Sequence, residues 1–106
     1  RAQVYVAGII ANFAVSDAGR LMLLRIGVLK PLVGLLAAKE LECREAACLA
    51  LRNLTLGEPA RNLLNEDTGV QEIAACICLQ EESMIMRTAG AALLRNLTVS
   101  DTGASL

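Results

Sequence analysis

Apolar positions recur along this chain at helical spacing, and three stretches share one ending. Residues 44–55, REAACLALRNLT, return as residues 87–98, RTAGAALLRNLT. Arg44/Arg87, Ala46/Ala89, Leu51/Leu94, Arg52/Arg95, Asn53/Asn96, Leu54/Leu97 and Thr55/Thr98 pair at an offset of 43 residues. A weaker copy lies within VYVAGIIANFAV, where Asn12 stands 41 residues before Asn53. Repetition at this period describes a stack of one supersecondary unit, because each copy can bury its apolar face only against its neighbours. Function is then expected on a surface that the copies build jointly, not in a pocket of catalytic side chains.

The pattern predicts three helices per unit. Residues 1–15 read as a helix with almost no polar face, which predicts burial on most sides. Punctuation recurs four residues after each marker Asn: Ser16-Asp17, Gly57-Glu58-Pro59 and Ser100-Asp101. Ser16 suits an N-cap with Asp17 at the positive end of the helix dipole. Gly57 suits a C-cap, and Pro59 a first helical turn. Short helices are predicted from Asp17 to about Arg25 and from Pro59 to about Asn65. Each runs to a glycine, Gly27 or Gly69, followed by Val28 or Val70. Middle helices follow from Val28, with Pro31 tolerated in the first turn, and from Val70. Polar linkers, Lys39 to Glu42 and Gln80 to Ser83, lead into long helices from about Cys43 and about Met84. The chain thus divides into the last helix of one unit (1–15), two whole units (16–55 and 57–98) and the start of another (99–106).

Three helices per period of about 42 residues, the Gly-Val pair opening the middle helix and the ALRNLT ending resemble the armadillo repeat. The resemblance covers nearly the whole chain. It implies an all-α, right-handed α-solenoid. It also implies a concave groove, lined by the third helices, that takes extended segments of partner proteins. In many members an Asn near the end of each third helix bonds the ligand backbone; Asn12, Asn53 and Asn96 match it by position. Nuclear-import adaptors carry a Trp four residues before that Asn. Here those places hold Gly8, Leu49 and Ala92, so a basic-signal groove is not implied. Arg52 and Arg95 before the Asn look closer to catenin-type members, whose grooves take acidic tails, or to exchange factors for small GTPases. The first copy has Ala11 there.

Composition narrows the chemistry. The chain is 55% apolar with one Phe, one Tyr and no Trp, so the core must be aliphatic. A net charge of −1 disfavours binding of nucleic acid through bulk charge. No apolar run reaches the roughly 18 residues of a membrane span. Histidine is absent, which removes the commonest general base; with no glycine-rich phosphate loop either, the chain reads as non-enzymatic and without a cofactor. Cys43, Cys48, Cys76 and Cys78 have poor spacing for zinc. Cys48 reads as a small buried hydrophobe, and this cysteine usage points to a reducing compartment, the cytoplasm or nucleus. Asn53-Leu54-Thr55 and Asn96-Leu97-Thr98 match a glycosylation sequon, but their helical setting argues against its use.

Two roles stand open for the marker residues. An Asn amide offers donor and acceptor together and can satisfy an extended peptide's backbone whatever its sequence; it could equally hold the corner between units. Arg44, Arg52, Arg87 and Arg95 are the candidates for selectivity, since guanidinium forks suit carboxylates and phosphates. Eight residues advance a helix about 80° past two turns, so each Arg pair shares a broad side. The alternative is pairing of Arg52 and Arg95 with Glu45, Glu58 or Asp101. The expected partner is an extended acidic or phosphorylated protein segment. Ile9, Ile10 and Phe13 at one end, and Val99 and Leu106 at the other, predict self-association. A purely architectural role remains the second reading.

Overall fold

The computed structural model describes residues 2–66, 71, 73–75 and 83–98. Among them every regular element is an α-helix: α1 (Ala2–Phe13), α2 (Asp17–Ile26), α3 (Leu29–Leu35), α4 (Leu41–Leu54), α5 (Glu58–Glu66) and α6 (Met84–Leu97). Residues 73–75 are also helical, and Ile73 joins the core. Helices α2, α3 and α4 fall within residues 16–55; α4 is the longest at 14 residues, but the first helix, at 10 residues, is longer than the second, at 7. The architecture is an α-solenoid of stacked helices. Gly69, Val70, Cys76, Cys78, Gln80–Glu82, Val99, Ser100, Asp101 and Leu106 lie outside the described residues.

Local chemistry starts and stops these helices. Ser16 is extended (φ −116°, ψ 155°), and its hydroxyl accepts from the Gly19 N–H, capping α2. At the other end Gly27 is left-handed at φ 83°, and its N–H reaches the Leu23 and Leu24 carbonyls. Only glycine takes that conformation without a Cβ penalty. Pro31 sits in the first turn of α3 as expected. Helix α4 begins at Leu41, two residues before the predicted start. Helix α6 begins where predicted, capped by the Ser83 hydroxyl on the Met86 N–H.

Two expectations are corrected. Gly57 is not a left-handed cap, since Gly27 is the one glycine with positive φ among the described residues. Thr55 closes α4 instead, donating its hydroxyl to the Leu51 and Arg52 carbonyls. Helix α1 is not buried on most sides. Ala7 and Ile10 are buried, with Ala14 just beyond its end, while Tyr5, Val6, Ile9 and Phe13 are exposed. Ile10 therefore belongs to the core, not to an exposed end face. The described chain covers α1 along one side only, chiefly with α4.

Helix α4 packs between α1 and α6, and α3 packs on α4. Its buried residues are Cys43, Ala47, Cys48, Ala50, Leu51 and Leu54. Those of α6 are Met86, Ala89, Gly90, Leu93 and Leu97. Both sets follow helical spacing and put small residues where long helices meet, letting the axes approach.

Candidate functional site

Asn12, Asn53 and Asn96 stand near the C-terminal ends of α1, α4 and α6, and the amides of Asn53 and Asn96 tie the helices together. The Asn53 Nδ2 donates to the Ala11 carbonyl of α1 at 2.9 Å. The Asn96 Nδ2 donates to the Arg52 carbonyl of α4 at 3.1 Å and to the Thr55 hydroxyl at 3.2 Å. Each acceptor carbonyl belongs to the residue just before the previous marker. The rule is uniform: a marker amide reaches back one unit and bonds a carbonyl in that unit's last helical turn. Such carbonyls lack a partner inside their own helix. Asn12, at the same register position, is exposed.

The arginines separate into different environments. Arg52 is half-buried and donates through Nε and Nη2 to the Asn53 Oδ1, at 3.2 and 3.1 Å. Arg95, its equivalent in α6, is exposed. Among the described residues no carboxylate pairs with either; Glu45 instead accepts from the Ser83 hydroxyl at 2.7 Å. Arg44 folds back onto the linker before α4 and bonds the Ala38 and Lys39 carbonyls at 2.7 and 2.8 Å. Arg87 is exposed and touches the Met84 sulfur. So Arg52, Asn53 and Asn96 come together at one end of α4. Arg44 lies at the other end, about 12 Å away along the axis by helical rise.

Sequence reasoning overlooked a second recurring device. Arg20 in α2 donates to the Ala14 carbonyl at 2.9 Å and pairs with Asp17. Arg61 in α5 donates to the Thr55 and Leu56 carbonyls at 2.8 and 3.0 Å. Each staples the end of a long helix to the short helix that follows. The signal was available, since Arg20 and Arg61 share the 41-residue offset of the corners. Gly19 was overlooked too. A Cβ there would stand 2.0 Å from the Phe13 carbonyl oxygen, so the first corner closes only over glycine.

Burial sets the thiol chemistry nearby. Cys48 is fully buried, and desolvation pushes its pKa up to about 11, with the Arg52 guanidinium opposing. Cys43 is raised as well, by burial first and then by the hydrogen bond and charge of Glu40. Both thiols stay neutral and unreactive near neutral pH. Among the described residues no cluster of His, Cys, Asp or Glu could hold a metal ion. The Asn53 sequon is blocked by its fold, because its Nδ2 is bonded and Thr55 is fully buried.

The armadillo/beta-catenin-like repeat matches residues 16–56. The chain carries an armadillo repeat. No curated protein and no solved structure matches it. The armadillo match covers α2, α3, α4 and the Thr55 closure, the part that holds the Asn53 donor of one tie and the Arg52 and Thr55 acceptors of the other. Armadillo repeats are in general protein-interaction scaffolds and not enzymes. No described helix is long and apolar enough to cross a membrane.

Proposed function

We propose that this armadillo segment binds an extended, acidic or phosphorylated segment of a partner protein along the row of α1, α4 and α6. The observation that supports this reading is the pair of tied helices α4 and α6, which carry Arg52 and Arg95 at one register and Arg44 and Arg87 at another. Exposed Arg87 and Arg95 and half-buried Arg52 are the groups available to carboxylates or phosphates. Arg44 contributes at the rim, where it also braces the linker. Exposed Asn12 offers a whole amide. The Asn53 and Asn96 nitrogens already hold the helices in register, so these residues position the surface and contact ligand through its edges. The chain works in the cytoplasm or nucleus under this reading.

The test is a panel of extended peptides, acidic, neutral and basic, titrated into the chain at two salt concentrations. Acidic peptides should bind best, and affinity should fall with salt. Arg95→Glu and Arg87→Glu should each weaken binding several-fold while leaving the melting transition unchanged. Equal binding of all three peptides would sink the electrostatic reading.

A second reading draws on the amide ties. If Asn53 and Asn96 serve only as inter-unit clasps, the segment is architectural. No peptide of any charge should then bind, and Asn→Ala substitutions should act on stability alone.

A further inference from the structure

Arg52 and Asn53 are neighbours in α4, and their side chains are bonded to each other. The Asn53 Oδ1 accepts from the Arg52 Nε at 3.2 Å and from its Nη2 at 3.1 Å. The Asn53 Nδ2 donates to the Ala11 carbonyl of α1 at 2.9 Å. These partners leave the amide one orientation. A carbonyl only accepts and a guanidinium only donates, so the reversed amide would set oxygen against oxygen and N–H against N–H. The tie to α1 therefore aims the Asn53 oxygen at Arg52.

The bond occupies a particular edge. Nε and Nη2 form one of the forks through which a guanidinium grips a carboxylate with two parallel hydrogen bonds. Helix α4 packs between α1 and α6, so this half-buried Arg52 sits on the helix that has a neighbour on each side. Adjacency in the chain does not by itself make the bond. In α6 the Asn96 nitrogen is given to the Arg52 carbonyl and the Thr55 hydroxyl, and among the described residues Arg95 makes no side-chain bond to Asn96.

We propose that the Asn53 oxygen is a built-in competitor for the Arg52 fork, so that a partner segment engages this fork only by displacing it. The proposal rests on the peptide reading above and deepens it by giving Arg52 a means of selection. A carboxylate or phosphate oxygen carries charge and outcompetes a neutral amide oxygen. The backbone carbonyls of an uncharged peptide are acceptors of the same strength as the amide already there, and do not. Asn53 thus holds α1 and α4 in register through its nitrogen and screens Arg52 through its oxygen.

Calorimetric titration of the 106-residue chain with hexaglutamate and with its uncharged counterpart, hexaglutamine, tests this. Asn53→Ala, measured where circular dichroism shows the helices intact, should bind hexaglutamate about fivefold more tightly than the unmodified chain, and should discriminate less against hexaglutamine. Arg52→Gln should cancel that gain in the Asn53→Ala background. Equal or weaker binding by Asn53→Ala overturns the proposal and leaves the peptide reading standing, as does a gain that survives Arg52→Gln. Hexaglutamate bound by neither chain overturns both. Because Asn53→Ala also loses the tie to Ala11, the unmodified, nitrogen-labelled chain supplies a second readout. The Arg52 Nε–H resonance should move as hexaglutamate binds; an Nε–H signal unmoved at saturation overturns the proposal.

Discussion

The two boundaries between successive units share a register but are held by different atoms. At the first, Asn53 makes one bond into α1, to Ala11, and the position equivalent to Thr55 is Ala14, which has no hydroxyl. At the second, Asn96 makes two bonds into α4, to Arg52 and Thr55, and Ser83 clasps Glu45 at the other end. Where Glu45 stands in α4, α1 has Val4. The corners differ as well. The first closes over Gly19 with a Ser16 cap; the second holds Ala60 at the position of Gly19, and Gly57 at the position of Ser16. Gly57 instead makes room for the Arg20 side chain, 3.0 Å from where its Cβ would stand. The constant part is an Asn side chain donating to a helix-end carbonyl of the preceding unit. The variable part is how many further polar groups join it.

Substitutions at the corners should break this comparison hardest. Gly19→Ala places a methyl against the Phe13 carbonyl and should cost about 3 kcal/mol in urea denaturation. Ala60→Gly at the second corner should cost only about 1 kcal/mol. Similar losses at both would mean that the corners close alike.

Alkaline pH should come next, and on α4 alone. Cys48 is the α4 counterpart of Ala7. Its folded pKa of about 11 lies above the ordinary 9.0, so its stabilising contribution is complete below pH 9 and is lost as pH rises through 11. The loss should reach roughly 2–3 kcal/mol. Cys48→Ala should give a flatter stability curve between pH 9 and 11, and parallel curves would refute the assignment.

The amides sharpen the contrast further. Asn96→Ala should destabilise by about 2 kcal/mol and Asn53→Ala by about 1, following the two inter-unit bonds against one. An inverted order, measured by thermal melting, would show that the bond from Arg52 to Asn53 outweighs the Thr55 contact. The smallest effect is expected from Ala14→Ser, which supplies the hydroxyl missing at the first boundary. A gain of about 0.5 kcal/mol that disappears in the Asn53→Ala background would place that hydroxyl on the Asn53 amide.

The helical content, the bounds of α2 and α6 and the start of α3 were legible in the primary structure to within a residue or two. They follow from apolar spacing and from local devices such as Ser16, Gly27 and Pro31, which act within a few residues. The marker Asn positions were legible too, but not the direction in which the amides point. An Asn at a helix end can bond a ligand or a neighbouring helix with equal chemical ease. Only the distance from Asn53 to Ala11, 42 residues earlier in the chain, shows that the nitrogen is already engaged. The same limit applies to Arg44, a groove candidate by pattern that the fold turns onto its own linker.

Sequence alone therefore determined the repeat, its helical content and the residues that mark each unit, because these rest on short-range propensity and periodic burial. Tertiary structure decided which side of α1 packs on α4, which carbonyls the amides satisfy and which arginines remain exposed. Those outcomes depend on how closely α1, α4 and α6 approach one another, and that approach is set by side-chain volumes on separate helices acting together.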